Sequence, residues 1–221
     1  MLTKQVIEAL TQAAGAVTPG DSHRALACAR SLLGPQADVC EPLFNELARR
    51  CDELNVLRDL AGRDPLTGAA NRRTFEEELG REIARHRRTR EAFAVILLDL
   101  DELKLRNDRH GHDAGDAALV ALVQACLRTV RETDVVARIG GDEFAVLLPG
   151  STQAGATTLA ARLREAVEQC QVVGGALRVS VGMAAAEHGR SSAESVVKSA
   201  DQDLYRDKTR RKQSERNVCA A

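Results

Sequence analysis

The sequence predicts an α/β sandwich preceded by a smaller all-helical segment, on three observations. From Arg63 onward, short β-rich runs alternate with helical periodicities in the order β-α-β-β-α-β, with a helix ahead of the first strand. The run AFAVILLDL over 92–100 is apolar almost throughout and reads as a buried strand. Residues 1–60 contain no such run and read as helix from end to end. The 221 residues, 44% hydrophobic and 29% charged, suit one full domain with an appendage and argue against disorder.

Taken in order, Leu2 to Ala14 carries apolar residues at helical spacing until Gly15 and Thr18-Pro19-Gly20 break it. Asp21 or Ser22 can cap a second helix to Leu33, which Gly34-Pro35 ends. A third helix is expected over about 41–61, where Leu43, Leu47, Leu54 and Leu57 form a partial seam interrupted by Arg50. That seam suits either a bundle face or a dimerising stalk. The texture changes at Arg63-Asp64-Pro65-Leu66-Thr67-Gly68. A helix over 72–89 precedes the 92–100 strand, and another follows around 113–131. VVARI (135–139) and EFAVLLP (143–149) flank a Gly-Gly turn and form a hairpin. Then come a helix at 153–170, a strand at 178–185 and a last helix at 192–209. The helices are expected to cover one face of the sheet.

Several function classes are disfavoured. The formal net charge is −1, from 31 Lys+Arg against 32 Asp+Glu, so no global field recruits nucleic acid. Aromatics are 2% with no Trp, which leaves few surfaces for base stacking. Six cysteines show no CxxC pair and no zinc spacing. The start, MLTKQVIEALTQAAGAV, lacks a signal pattern, and no 18-residue apolar run occurs. The expectation is a cytoplasmic protein with reduced thiols and neither nucleic acid nor membrane as partner. Neither GxxxxGK[ST] nor GxGxxG is present, so P-loop and Rossmann chemistry are not indicated.

Two acidic clusters carry chemistry. Asp99 and Asp101 end the buried strand, where carboxylates at a sheet edge offer hard oxygen ligands to Mg²⁺. The same pattern also fits solvated turn residues. Gly140-Gly141-Asp142-Glu143 sits at the hairpin tip, where two glycines permit positive φ and close approach of a bulky ligand. An ordinary acidic turn that protects the sheet edge reads equally well on physics alone. Converging at one sheet edge, the clusters could hold a metal pair that activates a hydroxyl and neutralises a leaving pyrophosphate.

Gly140-Gly141-Asp142-Glu143-Phe144 is letter for letter the GGDEF signature, and the chain resembles the diguanylate cyclase family well beyond it. Asp64-Pro65-Leu66-Thr67-Gly68-Ala69-Ala70-Asn71-Arg72-Arg73 resembles the family's opening DxLTGLxNRR, with Ala69 in place of leucine. Asp99-Leu100-Asp101, Lys104, Asn107-Asp108, Gly111-His112 and Gly115-Asp116 resemble its DxDxFKxxNDxxGHxxGD block. Ser180-Val181-Gly182 is similar to its SxG strand, and Ala200-Asp201, Leu204-Tyr205 and Lys208 to its closing ADxALYxAK. The likeness spans about 63–213, which divides the chain into a helical regulatory or dimerisation segment (1–60), a catalytic domain (61–213) and a tail (214–221).

The resemblance implies a palm-like, nucleotidyl-cyclase-like α/β sandwich that makes cyclic di-GMP and pyrophosphate from two GTP across a homodimer. It implies two Mg²⁺ per active site, with Mn²⁺ as an alternative, held by Asp99, the Leu100 carbonyl, Asp142 and Glu143. Asp142 would also accept the proton, Glu143 orient or touch metal, and Lys104 stabilise charge on the phosphates. Gly140 and Gly141 would leave room for phosphates, and Lys208 would touch the terminal ones. Asn107 and Asp116 map onto the guanine readers, with His112 as a further nucleotide contact. Read without the resemblance, these three are turn or helix-cap residues. Arg131-Glu132-Thr133-Asp134 matches the family's RxxD site, where cyclic di-GMP inhibits its own synthesis, and Arg162 is a further product contact. Otherwise Arg131 and Asp134 form a structural pair.

The chain departs from the pattern in two places. Leu103 stands in the substrate-binding set where the family has an aromatic, a change that keeps apolar character. The family's GRN appears as Arg211-Lys212-Gln213, so Lys212 supplies a charge but no bidentate fork, and a turn glycine is lost. The competing reading is a non-catalytic receptor for cyclic di-GMP or GTP; retention of Asp99, Asp142 and Glu143 speaks for the enzyme. A cyclase or polymerase for another nucleotide is disfavoured by Asn107 and Asp116.

Overall fold

A computed structural model describes residues 61–186 and 193–219, with helical positions 27, 30, 31, 42, 45, 46, 48–50, 52 and 53. Side chains at 193, 194, 212 and 214–219 lie outside this description. The chain divides into two compact units, Met1–Gly62 and Arg63–Ala221. In the first, the described positions fall on the second and third expected helices. Arg30 Nη2 donates to Asn45 Oδ1 at 3.2 Å, and Arg49 and Arg50 pair with Glu46 at 2.7 and 2.9 Å. Hydrogen bonds from Arg49 and then Arg50 hold the Glu46 carboxyl down at about 2. The helix expected over 2–14 and the seam of Leu43, Leu47, Leu54 and Leu57 lie outside the described residues.

The second unit opens with β1 (Ala70–Asn71) and α1 (Arg72–Thr89), whose first turn is capped by Asn71 Oδ1 accepting from the Thr74 N–H at 3.0 Å. There follow β2 (Phe93–Leu100), α2 (Leu103–His110), α3 (His112–Thr129), β3 (Val135–Arg138) and β4 (Glu143–Pro149). The chain continues through α4 (Gln153–Glu168), β5 (Gln171–Val172), β6 (Gly175–Ala176), β7 (Val179–Ala186) and α5 (Ala193–Cys219). Five strands form one sheet in the order β1-β3-β4-β2-β7, and β5 and β6 form a separate hairpin. β1 runs parallel to β3, and every other neighbouring pair is antiparallel.

All of β2 is buried, and its two residue parities serve two cores. Ala94, Ile96, Leu98 and Leu100 pack with Leu122 of α3 and Leu163 of α4. Phe93, Val95 and Leu97 pack with Phe75 of α1 and with Val196, Ala200 and Leu204 of α5. Helices therefore cover both faces of the sheet, which corrects the expectation of one covered face. The reason is in β2 itself: a strand apolar at both parities has no face to leave to water. Each fully buried Leu or Phe contributes about 1.5–3 kcal/mol of transfer free energy.

α5 lies directly on β7. A Cβ at Gly182 would stand 2.1 Å from the Leu204 nitrogen and 2.3 Å from the Ala200 oxygen, so only glycine admits the helix. β7 is an edge strand, and α5 also closes its edge. Asp207 Oδ2 accepts from the Val181 N–H at 2.9 Å, and Asp203 Oδ2 from the Met183 N–H at 3.1 Å.

Absent from the sequence expectation were the short strand β1, the helix α2 and the β5–β6 hairpin. The eight residues of α2, LKLRNDRH, include none that is buried and show no apolar stripe. α5 outruns its expected end at 209 and continues to Cys219. Among the described residues, no helix is long and apolar enough to cross a membrane.

Candidate active site

The end of β2 meets the β3–β4 turn. Strand register sets Asp99 opposite Glu143 on β4 and Ser180 on β7, and the Leu100 N–H donates to the Asp142 carbonyl at 3.0 Å. Asp99 is only 7% exposed, and Lys208 Nζ on α5 reaches its Oδ2 at 2.6 Å. Burial pushes the Asp99 carboxyl up, and the charges of Asp142 and Asp101 add to that push. The Lys208 ammonium opposes it without cancelling it. The sequence thus brings Asp99, Asp142, Glu143 and Lys208 to one end of the sheet.

The turn is tight but not as expected. The Ile139 and Gly140 N–H groups both donate to the Glu143 carbonyl, at 2.9 and 3.2 Å. Neither Gly140 nor Gly141 has positive φ, which corrects the reason given for them from the sequence. A Cβ on Gly140 would instead meet Glu143 Oε2 at 2.6 Å, while Gly141 has open space around it. One glycine admits the glutamate; the other leaves main chain accessible.

Arg138 braces the turn from below. Its Nη2 donates to the Gly141 carbonyl at 2.7 Å, and its Nη1 pairs with Asp64 at 3.3 Å. Asp64 also accepts from the Thr67 hydroxyl at 2.6 Å and the Thr67 N–H at 2.9 Å. Burial alone would raise the Asp64 carboxyl, but the Thr67 bonds and Arg138 outweigh it and the carboxyl sits low. The sequence marked Asp64 as part of a motif without a role, and Arg138 without a partner. The signal available was an arginine two residues before the Gly-Gly pair.

The donor set can be tested against divalent cations. Among the described residues, no group of three His, Cys, Asp or Glu side chains stands close enough to enclose a metal. Asp99 and Asp142 with the Leu100 carbonyl nevertheless suit Mg²⁺, which commonly takes one or two carboxylates and completes its shell from phosphates and water. A buried carboxylate pushed up by its surroundings, with an ammonium drawn onto it, is a place where a cation is favoured. The residues fit the group.

α2 and α3 meet at Gly111, which has a φ of 85° and closes one helix while opening the next. This joint sets Asn107 beside Gly115, where a Cβ would stand 1.8 Å from Asn107 Oδ1. That oxygen is buried and has no hydrogen-bond partner. A buried unpaired acceptor is uncommon and points to a donor supplied by a ligand. Asp116 and His112 lie exposed on the first turns of α3. Lys104 is exposed on α2 and makes no ion pair among the described residues. Leu103 packs against the core shared with α3 and α4. Lys212 follows Lys208 by one helical turn on α5, its side chain outside the described ones.

The RxxD segment lies at the other end of β3. The Arg131 N–H donates to Asp134 Oδ2 at 2.9 Å, and the Asp134 N–H to the Arg131 carbonyl at 3.1 Å. The carboxylate thus caps main chain, and no ion pair joins it to the exposed Arg131 guanidinium. Arg162 Nη2 on α4 reaches the Thr129 carbonyl at 3.4 Å, which brings it next to the same segment. The four residues of β3 separate this segment from the signature turn by about 13 Å.

Comparison with known proteins gives a consistent result. Residues 61–214 match the family described as "Diguanylate cyclase, GGDEF domain". The chain is 37% identical over 155 residues to a probable diguanylate cyclase, DgcC, of Escherichia coli, covering 69% of this chain and 42% of that protein. It thus spans less than half the length of that curated relative. Among solved structures it is similar to the diguanylate cyclase SiaD of Pseudomonas aeruginosa, solved with its activator SiaC, at a TM-score of 0.68 and 32% identity. That likeness covers 79% of this chain and 68% of SiaD. It is also similar to the coiled coil and GGDEF domain of DgcB from Caulobacter crescentus, solved with c-di-GMP, at a TM-score of 0.66 and 29% identity, covering 79% and 94% of the two chains.

Proposed function

Because the chain belongs to the diguanylate cyclase, GGDEF domain, family, we propose that it condenses two GTP molecules into cyclic di-GMP with release of two pyrophosphates, working as a homodimer. The observation that carries this reading is the intact acidic set at the sheet end: Asp99 buried beside the turn that bears Asp142 and Glu143. Each protomer holds one GTP, and the 3′-oxygen of one attacks the α-phosphorus of the other as the α–β anhydride bond breaks.

Asn107 and Asp116 receive guanine, the buried Asn107 Oδ1 finding its missing donor there. Asp142 accepts the 3′-hydroxyl proton on a carboxylate oxygen, and Glu143 orients beside it. Asp99, the Leu100 carbonyl and Asp142 would hold divalent ions, which would supply Lewis acidity and neutralise phosphate charge. Lys208, paired with Asp99 at the same sheet end, supplies an ammonium for the terminal phosphates. Lys104, unpaired among the described residues, is available to charge building on the phosphates. Arg131, Asp134 and Arg162 bind product at a separate site and restrain turnover. The helical segment before Arg63 holds two catalytic units near one another.

Incubation of the purified chain with GTP and Mg²⁺ tests the proposal, with cyclic di-GMP and pyrophosphate expected in a 1:2 ratio. Absence of product from a folded chain that binds cyclic di-GMP or GTP would move it to the receptor reading.

A further inference from the structure

Beside the metal end, α5 carries a second network that none of the roles above uses. Arg211 Nη2 pairs with Glu168 Oε1 at the end of α4 at 2.7 Å. The same guanidinium lies 3.7 Å from Asp101 Oδ2, just past β2, and 3.7 Å from Asp207 Oδ2 on its own helix. Both aspartates are engaged further. Asp101 Oδ1 accepts from Ser180 Oγ at 2.7 Å, and Asp207 Oδ2 accepts from Arg164 Nη2 at 2.6 Å and from the Val181 N–H at 2.9 Å. The Arg211 side chain is 25% exposed, so its pairs are better shielded from water than ordinary surface pairs.

Arg211 stands where the family's GRN has glycine. Glycine in a helix costs about 1 kcal/mol relative to good helix formers, and arginine is one of them. Here α5 runs on through this position to Cys219. Arg211 therefore keeps a good helix former where glycine would weaken the helix. It joins helices from opposite faces of the sheet around the β7 edge, one turn from the Lys208–Asp99 contact.

We propose that Arg211 is a positioning residue, whose ion pairs with Glu168, Asp101 and Asp207 seat α5 so that Lys208 stands ready for the terminal phosphates of GTP. The proposal rests on the cyclase reading. Loss of the guanidinium removes the counter-charge that Asp101, Glu168 and Asp207 share. The helix end then lifts, and Lys208 loses its fixed position. Because the terminal phosphates lie away from the α-phosphorus where the new bond forms, the effect is expected on substrate capture more than on the bond-making step.

Arg211→Met, Arg211→Gly and Arg211→Lys test this. Three readouts are taken: steady-state kinetics with Mg²⁺, calorimetric GTP binding with Ca²⁺ in place of Mg²⁺ to slow turnover, and hydrogen exchange across 200–213. For Arg211→Met the expected result is a KM for GTP and a dissociation constant each raised about tenfold, equivalent to about 1.4 kcal/mol. Its kcat should stay within about threefold, exchange at the end of α5 should quicken, and Arg211→Lys should recover part of each effect. Faster exchange with unchanged KM and GTP affinity would make Arg211 a purely structural clasp and overturn the proposal; so would no change in any readout. If Arg211→Met unfolds, Arg211→Lys with wild-type KM and affinity overturns it alone. A folded wild-type chain that neither binds GTP nor makes product overturns the cyclase reading itself, whereas equal binding by wild type and variant overturns only this inference.

Discussion

Asp142 sits on a turn whose main chain is held by other residues, so its carboxylate is free for chemistry without carrying the fold. Asp142→Ala should abolish cyclic di-GMP synthesis while the thermal midpoint moves little; near-normal synthesis would remove the residue from the metal set. Arg131→Ala addresses the opposite end of β3. It should leave initial rates intact and shift inhibition by cyclic di-GMP to higher concentration, since Asp134 caps the Arg131 main chain and survives the change. Inhibition curves that superpose on wild type would return Arg131 to an ordinary surface role. Cys126 gives a pH prediction. Burial pushes its thiol up to about 12 from 9.0, so the unfolded chain loses this proton first as pH rises. The stability it contributes is complete below pH 9.0 and is lost between 9.0 and about 12. Denaturant melts across that range should show a loss in wild type that Cys126→Ala lacks. At this scale the sequence revealed residue types and spacing but not partners. The GGDEF letters were unmistakable, yet the reason for Gly140 is the Glu143 side chain beside it. The Asp64–Arg138 pair spans a sequence gap that no local pattern bridges.

Among the elements, β7 and α5 depend on each other most closely. Gly182→Ala would drive a methyl group into the α5 backbone at Leu204 and Ala200, which cannot rotate away as a side chain could. The expected cost is about 3 kcal/mol, read as a lower denaturation midpoint, with the Lys208–Asp99 contact loosened in step. A variant as stable as wild type would show that α5 can rise off the strand at little cost. β2, β4, β7 and the long helices were legible because each carries a continuous apolar stripe or run. α2 was not, because it is exposed and charged and is held by the Gly111 joint more than by burial. The apolar alternation of β2 could also have disclosed the second covered face, since both parities were apolar in the sequence. The end of α5 was misjudged for a different reason: the bonds that anchor Arg211 come from α4 and from the β2–α2 connection.

At the scale of the whole molecule, the proposed reaction requires two copies, since each 3′-hydroxyl attacks the α-phosphate of the GTP held by the other protomer. Deleting residues 1–60 should therefore lower specific activity most in dilute solution, with recovery as protein concentration rises. A truncated chain that matches full length at every dilution would show that the segment does not bring protomers together. The boundary of the two compact units at Gly62 lies beside the change of texture at Arg63. The Asp64–Arg138 pair has a mechanical side as well. Asp64 stands two residues past Gly62, where the second unit begins, and Arg138 holds both Asp64 and the carbonyl of Gly141. A pull on the chain at Asp64 therefore also reaches the signature turn through the Arg138 guanidinium, like a lever arm with its load at the far end.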